Sequence, residues 1–239
     1  MVSFLIAIPV LSTFLFTPIG CVDFEETASD GTALGFDGES SCATANVDAE
    51  QFGEEMTIEA FVQSPTEPLY GVHPLIIWAG AFALWESAEG TATFSEPTTE
   101  SVGVTTPTGW MDGELHHVAA TWDGSIASLY LDGQRKGFTT SVEIGDDVAN
   151  TLYIGCWGDK GLHHEGIVDE VRISNSVLYE NEFDTPTSEL VEDENTVFLW
   201  HLDEGTGETA FDTIETKPLS LENVGWISFS LDTVYTDSE

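Results

Sequence analysis

The sequence predicts an all-β protein built as a sandwich of antiparallel sheets. Apolar and polar residues alternate along 115–122 and 126–131, which is typical of half-buried strands. Asp123-Gly124 separates these two segments and Asp132-Gly133 follows the second. Asp-Gly is a strong hairpin signal because glycine accepts a positive φ. No stretch of the sequence shows sustained helical periodicity, so an antiparallel all-β fold is expected.

Further strands are predicted on both sides of this hairpin. The clearest is 56–63, where the even-numbered residues are apolar and face one way while the odd-numbered residues face the other. Prolines at 65, 68 and 74 indicate a loop after it. The other predicted strands are 32–38, 75–78, 82–86, 91–95, 102–105, 137–144, 151–156 and 166–174.

Three of these segments carry recognisable motifs. Residues 116–133 contain HHVAATWDG and then LYLDG, 56–63 read MTIEAFVQ, and 166–174 read GIVDEVRIS. They resemble the LamG-like jelly-roll family, which is related to laminin G, pentraxins and concanavalin A-like lectins and glucanases. The resemblance covers about 32–183 and implies a jelly roll of two antiparallel sheets. Because this fold hosts lectins, adhesins and enzyme accessory domains, the resemblance specifies function only weakly.

The C-terminal segment resembles a different part of the same family. Residues 196–212, TVFLWHLDEGTGETAFD, are similar to a strand pair that opens many such modules, yet here they follow the other strands. They either begin a truncated second repeat or supply closing strands to the first. About 40 residues cannot bury a core alone. We therefore expect 192–231 to complete one sandwich spanning 32–231, followed by an acidic tail at 232–239.

The N-terminal segment predicts export. Residues 1–20 are mostly apolar but contain Pro9 and Pro18, a pattern that suits a signal peptide better than a membrane span. Gly20-Cys21 resembles the cleavage point of a bacterial lipoprotein, which implies lipidation of Cys21 and a short linker at 21–31. The alternative is an ordinary secretory signal cut nearby. The expected location is the bacterial cell envelope or the extracellular space.

Cysteine usage agrees with export. If Cys21 carries lipid, Cys42 and Cys156 remain as a pair, and an oxidising compartment permits a disulfide between them. The alternative is two separately buried thiols.

The charge balance restricts the partners. The chain has 43 acidic and 5 basic residues, a net charge of -38. Nucleic acid is excluded as a partner, because binding it requires a basic surface that displaces counterions. Anionic membrane surfaces are excluded for the same reason, which leaves a lipid anchor as the expected membrane contact.

An enzyme is not predicted, and no catalytic residue is assigned. Glycosidases of this superfamily place two carboxylates on one side of the sugar. Asp169 and Glu170 are adjacent, so regular alternation puts them on opposite faces of a strand. Glu170 is then expected to pair with Arg172 on the solvent side. The sequence also contains no nucleophile elbow and no phosphate-binding glycine loop.

Asp169 is the candidate metal ligand. Regular alternation places it on the apolar face with Val171 and Ile173, where an uncompensated carboxylate costs several kcal/mol. By resemblance, sandwich glucanases use an Asp in a similar VDxVR strand to hold a structural Ca²⁺, and Asp37 in the turn after the first strand can join it. The alternative is that backbone N–H groups satisfy the acid.

Three tryptophans near strand ends are the candidate ligand-binding residues: Trp85, Trp110 and Trp157. Aromatic faces pack against the apolar side of a sugar ring. The predicted function is a non-catalytic extracellular module that binds carbohydrate or another surface ligand, with a structural calcium. The alternative is a structural or adhesive envelope protein that contacts other proteins through its loop rims, and a degenerate glycosidase ranks third.

Overall fold

We describe a computed structural model of the chain. It describes residues 31–47, 55–66, 71–87, 89–96, 103–142, 149–214, 217–229 and 231. The predicted signal segment, Cys21, the predicted linker before residue 31 and the acidic tail at 232–239 lie outside the described residues.

Nearly all the regular structure of the described residues is β-strand. In chain order the strands are β1 (Gly31–Asp37), β2 (Cys42–Asn46), β3 (Met56–Gln63), β4 (Val72–Trp78), β5 (Phe82–Ser87), β6 (Ala92–Ser95), β7 (Val104–Thr105), β8 (Leu115–Trp122), β9 (Ala127–Leu131), β10 (Gln134–Thr139), β11 (Thr151–Ile154), β12 (Cys156–Trp157), β13 (Leu162–His163), β14 (Glu165–Ser174), β15 (Thr196–Trp200), β16 (Thr209–Ala210), β17 (Leu219–Glu222) and β18 (Gly225–Phe229). A 3-10 turn covers Gly158–Lys160.

The predicted two-sheet antiparallel sandwich is confirmed. The first sheet has the order β10-β9-β8-β3-β14-β1-β18, and β15 also pairs with β14. The second sheet has the order β16-β17-β2-β11-β4-β5-β6-β7. The strands β12 and β13 form a separate hairpin. The predicted central hairpin is β8 and β9, joined through Asp123 and Gly124, and β10 continues it after Asp132-Gly133.

The main core lies between the two sheets. On β3 the residues Met56, Ile58, Ala60 and Val62 face it, as their alternation predicts. The other side of the first sheet, which we call its outer face, carries a smaller apolar cluster: Phe61, Leu115, Leu190, Leu199 and Leu231. The segment after β14 runs across this outer face, because Leu190 belongs to the cluster.

The C-terminal strands join both sheets. β15 pairs with β14 and β18 pairs with β1 in the first sheet, whereas β17 pairs with β2 in the second. Phe198 and Trp200 of β15 are fully buried in the main core. The strands after residue 192 are therefore built into the same two sheets as the strands before it.

Deleting residues 192–239 should make the protein aggregate. The deletion removes Phe198 and Trp200 from the core and leaves the edges of β1 and β14 unpaired. Expression of residues 22–191, followed by size-exclusion chromatography and a thermal melt, tests this expectation. A soluble fragment that melts cooperatively would contradict it.

Cys42 and Cys156 are joined by a disulfide, with their Cα atoms 5.1 Å apart. The bond ties β2 of the second sheet to the β12–β13 hairpin. Within the described residues, no helix has both the length and the apolar character needed to span a membrane.

Candidate functional site

Two strands share one edge of β14. The first half of β14 pairs with β1, where Val168 lies opposite Leu34. The second half pairs with β15, where Val171 lies opposite Trp200. Because β3 occupies the other edge of β14 along its length, β1 and β15 must diverge beside Asp169 and Glu170. We call this point the strand fork.

A β-bulge in β14 lies at the fork. Asp169 is opposite Phe61 and Arg172 is opposite Glu59, so two residues of β14 face one residue of β3. Glu170 has a φ of 50°, in the left-handed region that a non-glycine residue rarely adopts. Bulges of this kind redirect side chains and are common next to functional sites.

The bulge overturns the predicted orientation of Asp169. Val168, Val171 and Ile173 face the main core, whereas Asp169 and Glu170 both border a pocket on the outer face. The expectation that Asp169 lies on the apolar core face is therefore wrong, and so is the expectation that the two acids point to opposite sides. Regular alternation holds only while strands pair one residue to one residue.

The pocket at the fork, which we call the fork pocket, has a volume of about 620 Å³. Its walls carry acids, hydroxyl groups, one imidazole and apolar side chains: Asp169, Glu170, Glu189, Glu192 and Asp203; Thr32, Ser188 and Thr213; His201; Leu190, Val191, Leu199, Phe229 and Leu231; and Gly31. None of the described residues that line it is a lysine or an arginine.

Glu170 forms one wall of the fork pocket and is held in place on both oxygens. His201 Nδ1 lies 2.8 Å from Oε1 and 3.0 Å from Oε2, and the Leu190 backbone N–H donates to Oε2 at 2.8 Å. The hydrogen bond to Glu170 is the main reason that the pKa of His201 is raised. The predicted pairing of Glu170 with Arg172 is wrong, because Arg172 instead donates to Glu59.

Asp169 lies deeper and lacks such partners. It is only 4% exposed, and its Oδ1 has no hydrogen-bond partner among the described residues. Burial, together with the negative charges of Glu170 and Asp203, raises its pKa to about 9 against the opposing hydrogen bond from the Glu170 backbone N–H. The site therefore presents a carboxyl group that the surrounding chain does not satisfy.

The ends of β1 and β15 are tied together at the rim of the fork pocket. Asp203 Oδ1 accepts the backbone N–H of Thr32 at 2.8 Å, and Thr32 Oγ1 donates to the Leu202 carbonyl at 3.0 Å. A Cβ added at Gly31 would lie 2.5 Å from Asp203 Oδ1, so a larger residue there would displace the Asp203 carboxylate. These contacts fix the position of the Asp203 carboxylate beside the pocket.

The predicted calcium ligands do not come together. Asp37 accepts the backbone N–H groups of Glu39, Ser40 and Ser41 on Oδ1 and the Ser40 hydroxyl on Oδ2. It lies opposite Glu165, four residues along β14 from Asp169, or about 13 Å at the usual rise per residue. The described residues contain no group of three His, Cys, Asp or Glu side chains arranged to hold a metal ion. The pair Asp37 and Asp169 therefore does not fit one ion, and calcium at Asp169 stays a prediction.

None of the three candidate tryptophans lines the fork pocket. Trp110 is 3% exposed within the main core, and Trp157 is 6% exposed against Ile77 and Ala83. Trp85 is half-buried on β5. The expectation that Trp110 and Trp157 offer open ring faces is wrong, because packing of neighbouring strands covers both rings.

Sequence reasoning missed His201, Asp203 and Glu170 as pocket residues. Their proximity depends on the bulge and on the pairing of β15 with β14. Neither feature can be recognised from the residues of a single segment. The adjacency of Asp169 and Glu170 was the one available indication, and regular alternation argued against it.

Comparisons with known proteins agree on the fold. Residues 36–183 match the family model of the concanavalin A-like lectin/glucanases superfamily of laminin G type. No curated protein matches the chain significantly.

Several solved structures share the architecture at low identity. A Bacteroides ovatus protein, provisionally described as a carbohydrate binding protein, superposes with a TM-score of 0.68 at 14% identity, covering 84% of this chain and 60% of that one. The CBM40 module of a Ruminococcus gnavus sialidase, bound to α2,3-sialyllactose, superposes with a TM-score of 0.50 at 13% identity, covering 64% of this chain and 95% of the module. A pentraxin from Limulus polyphemus superposes with a TM-score of 0.47 at 14% identity, covering 62% of this chain and 78% of the pentraxin. The chain thus spans about 60% of the length of the Bacteroides protein.

Proposed function

Because the chain belongs to the concanavalin A-like lectin/glucanases superfamily, we propose that it is a non-catalytic module that binds a glycan in the fork pocket. Two structures that share its architecture are named for carbohydrate binding, which supports this class of ligand. The binding residues are this chain's own and are argued below from its geometry.

The unpartnered oxygen of Asp169 carries the proposal. A buried polar atom without a hydrogen-bond partner is unfavourable by about 1–3 kcal/mol, so a donor from a ligand is strongly favoured there. Sugar hydroxyl groups are such donors. The Ser188 hydroxyl can donate or accept beside the same space. The hydroxyls of Thr32 and Thr213 donate to the Leu202 carbonyl and to Glu192, and they can still accept from a ligand. Val191, which is exposed, and Phe229, which is half-buried, offer apolar surface for the ring carbons.

The geometry favours binding over hydrolysis. A glycosidase needs an acid and a second carboxylate that are both free to act at one glycosidic bond. Both oxygens of Glu170 are occupied by His201 and the Leu190 backbone, so this carboxylate supports the wall and is not free to attack.

Export forms part of the proposal, either to the cell envelope through lipid on Cys21 or to the extracellular space. The disulfide between Cys42 and Cys156 supports an oxidising compartment, because cytosolic thiols are kept reduced. A glycan ligand is abundant outside the cytoplasm.

Filling the fork pocket should abolish glycan binding. Ser188 is exposed at the pocket wall, so Ser188→Trp should obstruct the cavity without disturbing the core. We expect ligands identified on a glycan array to lose at least about tenfold in affinity, or 1.4 kcal/mol, by calorimetry. Ser125→Trp is the matched control, because Ser125 is exposed in the turn between β8 and β9.

Equal loss in both variants, or none in Ser188→Trp, would place the glycan elsewhere. An array with no bound glycan, repeated with and without Ca²⁺, would contradict the proposal and favour the adhesive alternative, in which loop rims contact other proteins.

A further inference from the structure

The distribution of acids around the fork pocket does not suit a single metal ion. Five carboxylate side chains line about 620 Å³, a volume much larger than one ion occupies. Within the described parts of the chain, no three of the potential ligands converge as metal binding requires. An occupant that contacts more than one of these dispersed carboxylates is larger than a single ion, which favours an organic molecule that carries positive charge.

Asp169 shows where that charge is needed. Its carboxyl group is 4% exposed, borders the fork pocket and has one oxygen without a partner among the described residues. Arg172 is the nearest cation along β14, but its guanidinium donates to Glu59 and to the Val191 carbonyl. The ionised form of an acid buried in this way requires a positive partner, and the described lining residues include no Lys or Arg to supply one. Asp169 therefore keeps its proton in the unliganded protein and releases it to solvent when a cationic group of a ligand takes its place.

The apolar part of the pocket indicates what the charge is attached to. Phe229 and Leu231 border the cavity together with Leu190 and Leu199. The three leucines belong to the apolar cluster on the outer face, and Phe229 packs against it. Such surfaces pack against carbon atoms, as the apolar side of a sugar ring does. An occupant with a carbon ring and an attached ammonium group can pack on the apolar wall and donate to Asp169 at the same time.

We propose that the fork pocket binds a glycan that carries free protonated amines, such as a chain of glucosamine residues, with an ammonium group donating to Asp169 and the ring packed on the apolar wall. This inference rests on the proposed glycan-binding function and specifies its ligand class. The same carboxylates repel acidic sugars, since the pocket concentrates negative charge on a chain of net charge -38.

Acetylation of the amine provides the test, because it removes the charge and keeps the sugar ring. Calorimetry compares glucosamine oligomers with N-acetylglucosamine oligomers of equal length at about pH 5, where the free amines are protonated. Salt is kept near 0.15 M, which limits the Debye length to about 8 Å and suppresses general attraction to the acidic surface. We expect the free amines to bind at least about tenfold more tightly.

Three variants locate the effect. Asp169→Asn preserves the shape of the side chain and should abolish the preference for the free amine. Glu189→Gln neutralises an exposed acid of the same pocket. This variant should weaken the preference for the free amine without affecting folding. Glu222→Gln removes the same charge from an exposed position on β17 of the second sheet and should leave binding unchanged.

The remaining outcomes separate this inference from the proposed function. Equal binding of both oligomers would overturn the amine and leave glycan binding intact, whereas binding of neither would overturn both. Spermidine binding as tightly as the amino sugar would show that the pocket does not recognise a sugar, which also overturns the inference. A Ca²⁺ affinity that is lost in Asp169→Asn and not matched by Mg²⁺ would assign the site to calcium instead.

Discussion

Replacing Glu59 with alanine is expected to lower the free energy of unfolding by about 3 to 5 kcal/mol, the usual effect of removing one partner of a buried ion pair. Glu59 is fully buried on the outer face of the first sheet. Its Oε1 accepts from Arg172 Nε at 2.7 Å, and its Oε2 accepts from the Tyr179 hydroxyl at 2.7 Å and lies 3.0 Å from His117 Nε2. The variant leaves all three of these groups without their shared acceptor.

A double replacement distinguishes the loss of the pair from the loss of packing. Glu59→Leu with Arg172→Met exchanges the ion pair for apolar side chains of similar size, and such exchanges are often neutral or stabilising. Urea denaturation of the wild type, both single variants and the double variant gives the coupling energy. Single variants that lose less than about 1 kcal/mol would show that the pair contributes little.

Acid should weaken the same network. Burial raises the pKa of Glu59, but the hydrogen bond and charge of His117 and the charge of Arg172 lower it more, so its net pKa lies below 4.5. The folded state therefore releases this proton more readily than the unfolded chain does. The resulting stabilisation is present above pH 4.5 and is lost as the pH falls through the lowered value.

Asp169→Asn is expected to stabilise the unliganded protein at neutral pH by up to about 4 kcal/mol, since about three pH units separate the unfolded pKa from neutrality and each corresponds to about 1.4 kcal/mol. The unfolded value is 3.8 and the folded value is about 9. Between them the folded protein holds a proton that the unfolded chain has released. The wild type therefore loses stability as the pH rises through this window, and the loss is complete above it.

The measurement is the difference in unfolding free energy between wild type and Asp169→Asn from pH 4 to pH 9, in EDTA and without ligand. It should grow steadily across that range, because the asparagine does not titrate. A constant difference would show that Asp169 titrates normally. A stabilised variant that no longer binds glycan would identify Asp169 as a residue retained for binding at the expense of stability.

Much of the sandwich follows from alternation along single strands. On β3 the alternation assigns Met56 and Ile58 to the core and Glu59 and Phe61 to the outer face, and the structure agrees. The rule succeeds there because β3 pairs residue by residue with β8 along its whole length. On that strand, the local alternation and the long-range pairing assign the same side chains to the core.

On β14 the local alternation and the long-range pairing assign different side chains to the core. The side chains of Val168 and Val171 both face the core, which alternation forbids without the extra residue of a bulge. Glu170 absorbs that residue at a positive φ, although its residue type gives no sign of it. Trp110 and Trp157 illustrate a related limit, because the burial of a ring depends on neighbours from distant parts of the chain.

The strand fork also constrains how the chain can fold. Leu34 pairs with Val168, and Val171 pairs with Trp200. Both pairings at the fork therefore join residues that are far apart in the sequence. Pairings of such long sequence separation pay their loop-closure entropy early and form slowly. Hairpins such as β8–β9 can form while the chain is still being synthesised, whereas the fork pocket appears only after β15 has emerged and docked. A refolding molecule should therefore regain binding only when these long-range pairings have formed, later than its local hairpins.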